Sequence, residues 1–204
     1  MTPASERALH ETVAGYDSHA DQQKGLVGWF YGHYVREAQQ FVAACQGPVL
    51  DIGAGEGIMF GRDARVVQLD CSHSRLARAA GTRICGDGYE LPFAAGAFAG
   101  VLLLAVLEHT SRPEAILAEV HRVLKPGGRV LIVVPNDLTM SLGRVLLGKW
   151  PPRYPDHLTF FTPRRLGAMA RHFTVLDMWP MPWRRLGFWA NMYLFARLEK
   201  PPRP

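Results

Sequence analysis

Val49-Leu-Asp51-Ile-Gly53-Ala54-Gly55-Glu-Gly57 joins a short apolar run to a turn with glycines at alternate positions. Val49 to Ile52 reads as a strand. The glycines let the chain reverse sharply and let a ligand lie against bare backbone at the start of a following helix. A carboxylate at the strand tip, Asp51, repels a pyrophosphate and suits a ligand that presents an ammonium group. In the dinucleotide fingerprint Gly-x-Gly-x-x-Gly/Ala the sixth position falls here on Ile58, whose branched side chain obstructs the close helix–strand packing served by the third glycine. The turn therefore disfavours a dinucleotide.

Outward from this turn, apolar runs alternate with helical stretches: Val66 to Leu69, Arg83 to Cys85, Val101 to Leu107 and Val130 to Val134. Continuous apolar runs of this length suit strands covered on both faces, hence a parallel sheet of βαβ units. Pro113 to Leu124 carries Ile116, Leu117, Val120, Val123 and Leu124 at helical spacing, with Lys125-Pro126-Gly127-Gly128 as its stop. Thr162-Pro163 opens a helix running to about His172, with Thr as N-cap and Pro at the first position. Two strands follow, near Phe173 to Trp179 and Asn191 to Leu198, and residues 10–45 read as helices preceding the sheet.

Asp70 ends the second strand, where a carboxylate accepts both hydroxyls of a ribose, and Asp87 closes the third, where it accepts an adenine amino group. Three Asp at successive strand ends on the binding edge of one sheet favour a ligand of that shape. S-adenosylmethionine fits. Its amino-acid end is a zwitterion, its sulfonium is cationic, and it carries no phosphate.

VLDIGAGEG, LDCS, GDGYELPF, VLEH and RVLKPGG, in this order from Val49 to Asn136, resemble the class I S-adenosylmethionine-dependent methyltransferases, in particular the small-molecule group. The resemblance implies an α/β, Rossmann-like three-layer sandwich with a seven-stranded, mostly parallel sheet, strand order 3-2-1-4-5-7-6, and an antiparallel last strand. It implies that Asp51, Gly53, Ala54, Gly55 and Gly57 hold the methionine end. Asp70 would then face the ribose, Asp87 with Gly88 and Tyr89 the adenine, Leu104 would lie beside the ligand, and Cys71 would belong to the same cofactor-binding set. The chain departs from the pattern at Phe98-Ala99, where Phe-Asp is usual, and in a link from Gly57 to Val66 about one helical turn shorter than usual. The expected organisation is a single methyltransferase domain over 1–204: a helical lid (1–45), a cofactor-binding core (46–136), an acceptor-side insertion (137–161) and a C-terminal helix with strands (162–204).

Methyl transfer needs an acceptor lone pair in line with the methyl group, so much of the catalysis comes from holding the reactants in place. After the fourth strand stands Ala105-Val-Leu-Glu108-His109, with neither an Asn/Asp-Pro-Pro-aromatic run nor a cysteine nucleophile. Amide, exocyclic-amine and cytosine C5 chemistry are thereby disfavoured. His109 is the candidate base, near neutrality in pKa, with a helix or turn cap as its plain alternative. Adjacent residues face different ways, so Glu108 is expected to point elsewhere. His157 reads as a loop residue bonded to backbone, and His10, His19, His33, His73, His121 and His172 as surface positions. Paired ligands at metal spacing are lacking, so no metal is assigned.

The acceptor pocket is expected from residues 12–35 and 137–161, with Trp29, Phe30, Tyr31 and Tyr34 in the first and Met140, Leu142, Val145, Leu146, Leu147 and Trp150 in the second. They suggest a small apolar or aromatic acceptor, or else a lid packed on the sheet.

The 204 residues carry 23 basic and 18 acidic groups, a net +5, and residues 151–204 hold nine of the former and three of the latter. A basic, aromatic tail with Trp179, Met181, Trp183, Arg184, Arg185, Phe188 and Trp189 suits a solvated face, a peripheral membrane contact, an acidic partner or nucleic acid. The polar amino terminus and short apolar runs argue against a signal peptide and a transmembrane span. Cys45, Cys71 and Cys85 read as reduced thiols, and the location as cytoplasmic. The leading function is methyl transfer to a small metabolite. The alternatives are a tRNA-modifying methyltransferase, with nucleic acid the less favoured partner, and a catalytically inactive cofactor-binding relative.

Overall fold

The computed structural model describes residues 25–202. Seven strands form one sheet: β1 (Val49–Ile52), β2 (Val66–Asp70), β3 (Thr82–Cys85), β4 (Phe98–Leu104), β5 (Leu124–Pro135), β6 (Thr174–Met181) and β7 (Tyr193–Glu199). Their order is β3-β2-β1-β4-β5-β7-β6. β7 pairs antiparallel with both β5 and β6, and the pairs from β3 to β5 are parallel. This is the expected order, with the last strand alone reversed. The helices are α1 (Gly25–Ala44), α2 (His73–Leu76), α3 (Pro113–Val123), α4 (Asp137–Leu146) and α5 (Pro163–Met169).

The apolar strands serve two cores by simple alternation. Val101 and Leu103 of β4, Val130, Ile132 and Val134 of β5, and Leu194, Ala196 and Leu198 of β7 join α3 and α5 on one face. Leu102, Leu131, Val133 and Phe195 join Tyr34, Ala38, Phe41 and Val42 of α1 on the other. Period-two side chains buried on both sides are the reason these strands lack polar alternation. α3 starts with Pro113 at its first turn and buries Ile116, Leu117, Val120 and Val123 on one stripe. The Thr162 side chain caps α5 by accepting the Arg165 N–H at 3.2 Å.

Several expected boundaries move. β4 begins at Phe98 and ends at Leu104; Ala105 then takes φ 57°, and Leu107–His109 form a 3-10 turn. Leu107 is fully buried there, so its apolar character serves the turn's packing and not a longer strand. α3 stops at Val123, and Lys125-Pro126-Gly127-Gly128, read as a turn, is drawn into the start of β5, with a register shift opposite Phe98 and Gly100. α5 ends at Met169, short of His172, and β7 starts at Tyr193 because Asn191 serves as a buried bridge.

The largest departure follows the glycine turn. The link to β2 is built of successive turns in place of a helix, so the glycine turn does not open onto a helix amino terminus. The short link leaves Ile58 exposed and tucks Phe60 into the core. Residues 1–24, with His10, His19 and the first part of the expected lid, lie outside the described residues, as does the side chain of Phe30. His73 and His172 are exposed, but His33 and His121 are half-buried, edge-on to Trp29 and Phe173 respectively.

Candidate functional site

The carboxyl edge of β1, β2 and β4 gathers the expected cofactor residues. Gly53 and Ala54 donate N–H groups to the Leu69 carbonyl at 2.7 and 3.1 Å, folding the turn back onto the end of β2. The Asp70 carboxylate then ties both loops: one oxygen accepts the Gly55 N–H and the other the Ser72 N–H, each at 2.8 Å. Gly53 sits at φ 71°, and a Cβ there would lie 2.6 Å from a Val106 methyl, so conformation and space both require glycine. At Gly55, φ is 56°, but an added Cβ meets nothing within 4 Å among the described residues. The backbone there borders open space, as a ligand cradle requires.

Asp51 is buried beneath this turn. Loss of hydration on burial, reinforced by the neighbouring Asp70 charge, pushes its carboxyl up to about 7. A buried carboxylate whose charge is suppressed this way gains most from an incoming cation. Asp87 accepts the Tyr89 N–H at 2.9 Å and holds the turn after β3, where Gly88 and Tyr89 are half-buried. Cys71 and Leu104 are also half-buried at their strand ends. Ala105, an alanine in left-handed backbone, escapes notice in the sequence because nothing in its identity announces that conformation.

Beside this edge lies a second assembly. His109 Nδ1 faces Asp156 twice, 3.2 Å from Oδ2 and 3.1 Å from the carbonyl oxygen. His157 Nδ1 bonds the Asp137 carboxylate, which corrects its reading as a backbone-bonded loop residue. Glu108 does not point elsewhere. It is buried beside buried His157 and half-buried His109, the three side chains offering ligand atoms within 4.8 Å of one another. Its carbonyl also receives the Leu158 and Thr159 N–H groups at 2.7 and 3.0 Å. Burial lowers the pKa of His109, but the hydrogen bond to Asp156 and the Glu108 charge outweigh it, so the net shift is upward. Burial likewise raises Asp156, yet the His109 bond holds its carboxyl down at about 2. Burial raises Glu108 against the pull of the two histidines.

Tyr34 connects the two assemblies. Its phenol is pushed well up by burial and by the charges of Tyr193, Asp51 and Glu108, and its ring lies 5.8 Å from those of Tyr31 and Tyr193. On the acceptor side, Leu142, Val145, Leu146, Leu147 and Trp150 are exposed on and beyond α4, so they do not pack as a lid onto the sheet. In the C-terminal set Trp179, Met181 and Phe188 are buried, while Trp183, Leu186 and Trp189 are exposed. Asn136 and Asn191 pin this segment: Asn136 Nδ2 donates to the Phe188 and Asn191 carbonyls, and Asn191 bonds Trp183 and Gly187.

Residues 50–132 match the family model described as a methyltransferase domain. The chain is 32% identical over 120 residues to a ubiquinone/menaquinone biosynthesis C-methyltransferase of Rhizobium johnstonii, covering 50% of this chain and 46% of that protein. It is 29% identical over 141 residues to a ubiquinone biosynthesis O-methyltransferase of Caulobacter vibrioides, covering 59% and 56%. The chain thus spans about half the length of these curated relatives. The Burkholderia thailandensis 1,6-didemethyltoxoflavin-N1-methyltransferase, solved with 1,6-didemethyltoxoflavin and S-adenosylhomocysteine, superposes with a TM-score of 0.66 at 23% identity over 98% of this chain and 91% of that one.

Proposed function

We propose, on the premise that this chain belongs to the class I S-adenosylmethionine-dependent methyltransferases, that it transfers a methyl group to a small aromatic or quinone-type acceptor. The observation that carries this is the turn at Gly53–Gly57: open backbone at Gly55, a suppressed charge at Asp51, and Asp70 fastening the loop. Asp51 would take the ammonium group, regaining its charge in the ion pair. Each Asp70 oxygen accepts one backbone N–H and retains a further acceptor position for a ribose hydroxyl. Asp87, Gly88 and Tyr89 would border the adenine, with Cys71 and Leu104 along its flanks.

The bound cofactor supplies an electrophilic sulfonium methyl, which passes to the acceptor's lone pair while the sulfur keeps the electrons of the broken bond. The chain's contribution is to hold the acceptor in line and exclude water. The apolar groups around α4 and Trp150 support a flat, apolar acceptor, as do relatives named for quinone biosynthesis. The names of the similar proteins span carbon, oxygen and nitrogen acceptors, so the fold suits all three attacking atoms. His109, held by Asp156 and biased toward its charged form, is better suited to fixing the end of β4 than to taking a proton. Cys45, Cys71 and Cys85 form no disulfide among the described residues, which fits action in the cytoplasm. Among the described residues no helix is long and apolar enough to cross a membrane.

Incubation with S-adenosylmethionine and a panel of hydroxylated quinols and heteroaromatics, read by mass spectrometry, tests this function. One added methyl on a panel member, with S-adenosylhomocysteine released in equal amount, is the expected result. Tight S-adenosylhomocysteine binding without transfer to any cellular metabolite would favour the inactive relative instead.

A further inference from the structure

The assembly next to the cofactor edge has the composition of a cation site. Glu108, His109 and His157 offer one carboxylate and two imidazoles whose ligand atoms lie within 4.8 Å of one another. Each imidazole is oriented by a carboxylate at Nδ1: Asp156 Oδ2 on His109 and Asp137 Oδ1 on His157. Orientation of a histidine through one ring nitrogen by a carboxylate is the arrangement that fixes metal-binding imidazoles, leaving Nε2 as the ligating atom.

A second observation points to the same occupant. Glu108 is 1% exposed, and its Oε2 has no hydrogen-bond partner among the described residues; Asp137 Oδ2 is in the same position. Buried carboxylate oxygens of this kind are costly unless a cation or donor meets them. The assembly holds three carboxylates against two imidazoles, so protonating both rings still leaves an excess negative charge. Arg153 donates to the His157 carbonyl and lies over Phe160, and Arg144 donates to the Pro151 carbonyl and lies over Tyr154.

We infer that Glu108, His109 and His157 form a binding site for a divalent transition ion, with Asp137 and Asp156 as the carboxylates that orient the two histidines. Two nitrogens and one oxygen suit Zn²⁺, and also Co²⁺, Fe²⁺ or Mn²⁺, above the oxygen-seeking Mg²⁺ or Ca²⁺. Bonds of about 2.0–2.2 Å in tetrahedral geometry need ligand atoms about 3.3–3.6 Å apart, so binding draws the three together by about 1 Å. Three protein ligands leave one coordination position for water or an acceptor oxygen. The ion would join the end of β4 to the segment before α5, residues far apart in the chain. That separation is why ligand spacing in the sequence suggests no metal.

The test uses the full chain, stripped with a chelator and titrated with Co²⁺ and then Zn²⁺. One equivalent of Co²⁺ should give visible d–d absorption that one equivalent of Zn²⁺ removes, and Mg²⁺ should not compete at equal concentration. Glu108→Gln and His157→Gln should abolish the cobalt spectrum. Asp137→Asn should weaken Zn²⁺ binding 10–100-fold, the usual effect of losing an orienting carboxylate. S-adenosylhomocysteine affinity, measured in each variant, certifies the fold independently of the metal readout. Wild-type protein that binds S-adenosylhomocysteine but takes up less than a tenth of an equivalent of Co²⁺ or Zn²⁺ at micromolar concentration overturns the site. So does a cobalt spectrum unchanged in both Glu108→Gln and His157→Gln.

Discussion

The turns that leave β1 and β4 are neighbours on one sheet edge and are held in opposite ways. After β1 the backbone does the holding: N–H groups of Gly53 and Ala54 on the Leu69 carbonyl, with a single carboxylate, Asp70, closing the loop. After β4 the holding is done by ionisable side chains, buried Glu108 and half-buried His109 against Asp137, Asp156 and His157. The first arrangement leaves bare main chain facing open space. The second fills its space with groups that depend on one another. The first turn is thus held by local backbone, and the second by side chains that distant segments bring to it.

The contrast is most easily broken at Asp137. Removing it leaves the His157 ring without its carboxylate inside a charged cluster, and Asp137→Ala should cost about 3–5 kcal/mol in chemical denaturation, the scale for breaking a buried pair. A loss below 1 kcal/mol would show that the cluster is not a unit.

Asp51 sharpens the comparison from the other side, because its burial destabilises the empty protein. Its folded value near 7 lies above the ordinary 3.8, so folding takes up a proton between those values, and stability falls as pH rises through that window, with the cost complete above about 7. Asp51→Asn should therefore stabilise the ligand-free protein above pH 7 by up to about 4 kcal/mol relative to wild type, an advantage that vanishes near pH 4. The same variant should lose the ammonium contact. In the wild type, S-adenosylhomocysteine affinity should drop about tenfold per pH unit below 7. A pH-independent affinity in calorimetry between pH 5 and 8 would detach Asp51 from the ligand.

Gly53→Ala asks how much of the first turn is backbone conformation. Left-handed backbone for alanine plus the contact with Val106 should cost about 2–4 kcal/mol, readable as a lowered melting temperature. Asp70→Ala removes the acceptor of two loop N–H groups and, on the proposed reading, of the ribose, and should weaken S-adenosylhomocysteine by roughly 1.5–3 kcal/mol in calorimetry. At the small end, the Arg78–Glu56 pair beside the glycine turn is exposed. Arg78→Ala should change stability by less than about 1 kcal/mol.

The same division explains what could be read in the sequence. The strands and the glycine turn were legible because each is written in consecutive residues, Val49 to Gly57 carrying a strand, its burial and its turn within nine positions, whereas the strand order came only from the resemblance to a known family. The missing helix after Gly57 was foreshadowed only by the short link to Val66. The Glu108 cluster was not legible. Glu108 and His109 lie on a 3-10 turn that the sequence does not announce, and their partners arrive from Asp137, Asp156 and His157, whose proximity only the fold creates. The apolar residues from Leu142 to Trp150 left a pocket wall and a packed lid both open in the sequence, because composition does not report which way a segment's apolar side faces.

The segment after Met181 shows what two amides do for a surface. Asn136 and Asn191 are nearly inaccessible, and between them they satisfy carbonyls of Trp183, Gly187, Phe188 and Asn191 itself. An excursion of eleven residues between strands is thereby riveted at its base, and Trp183, Arg184, Arg185, Leu186 and Trp189 stand outward on a fixed platform. Whatever meets that platform finds its aromatic and cationic groups on a backbone already ordered by folding, so little further backbone freedom is lost on contact.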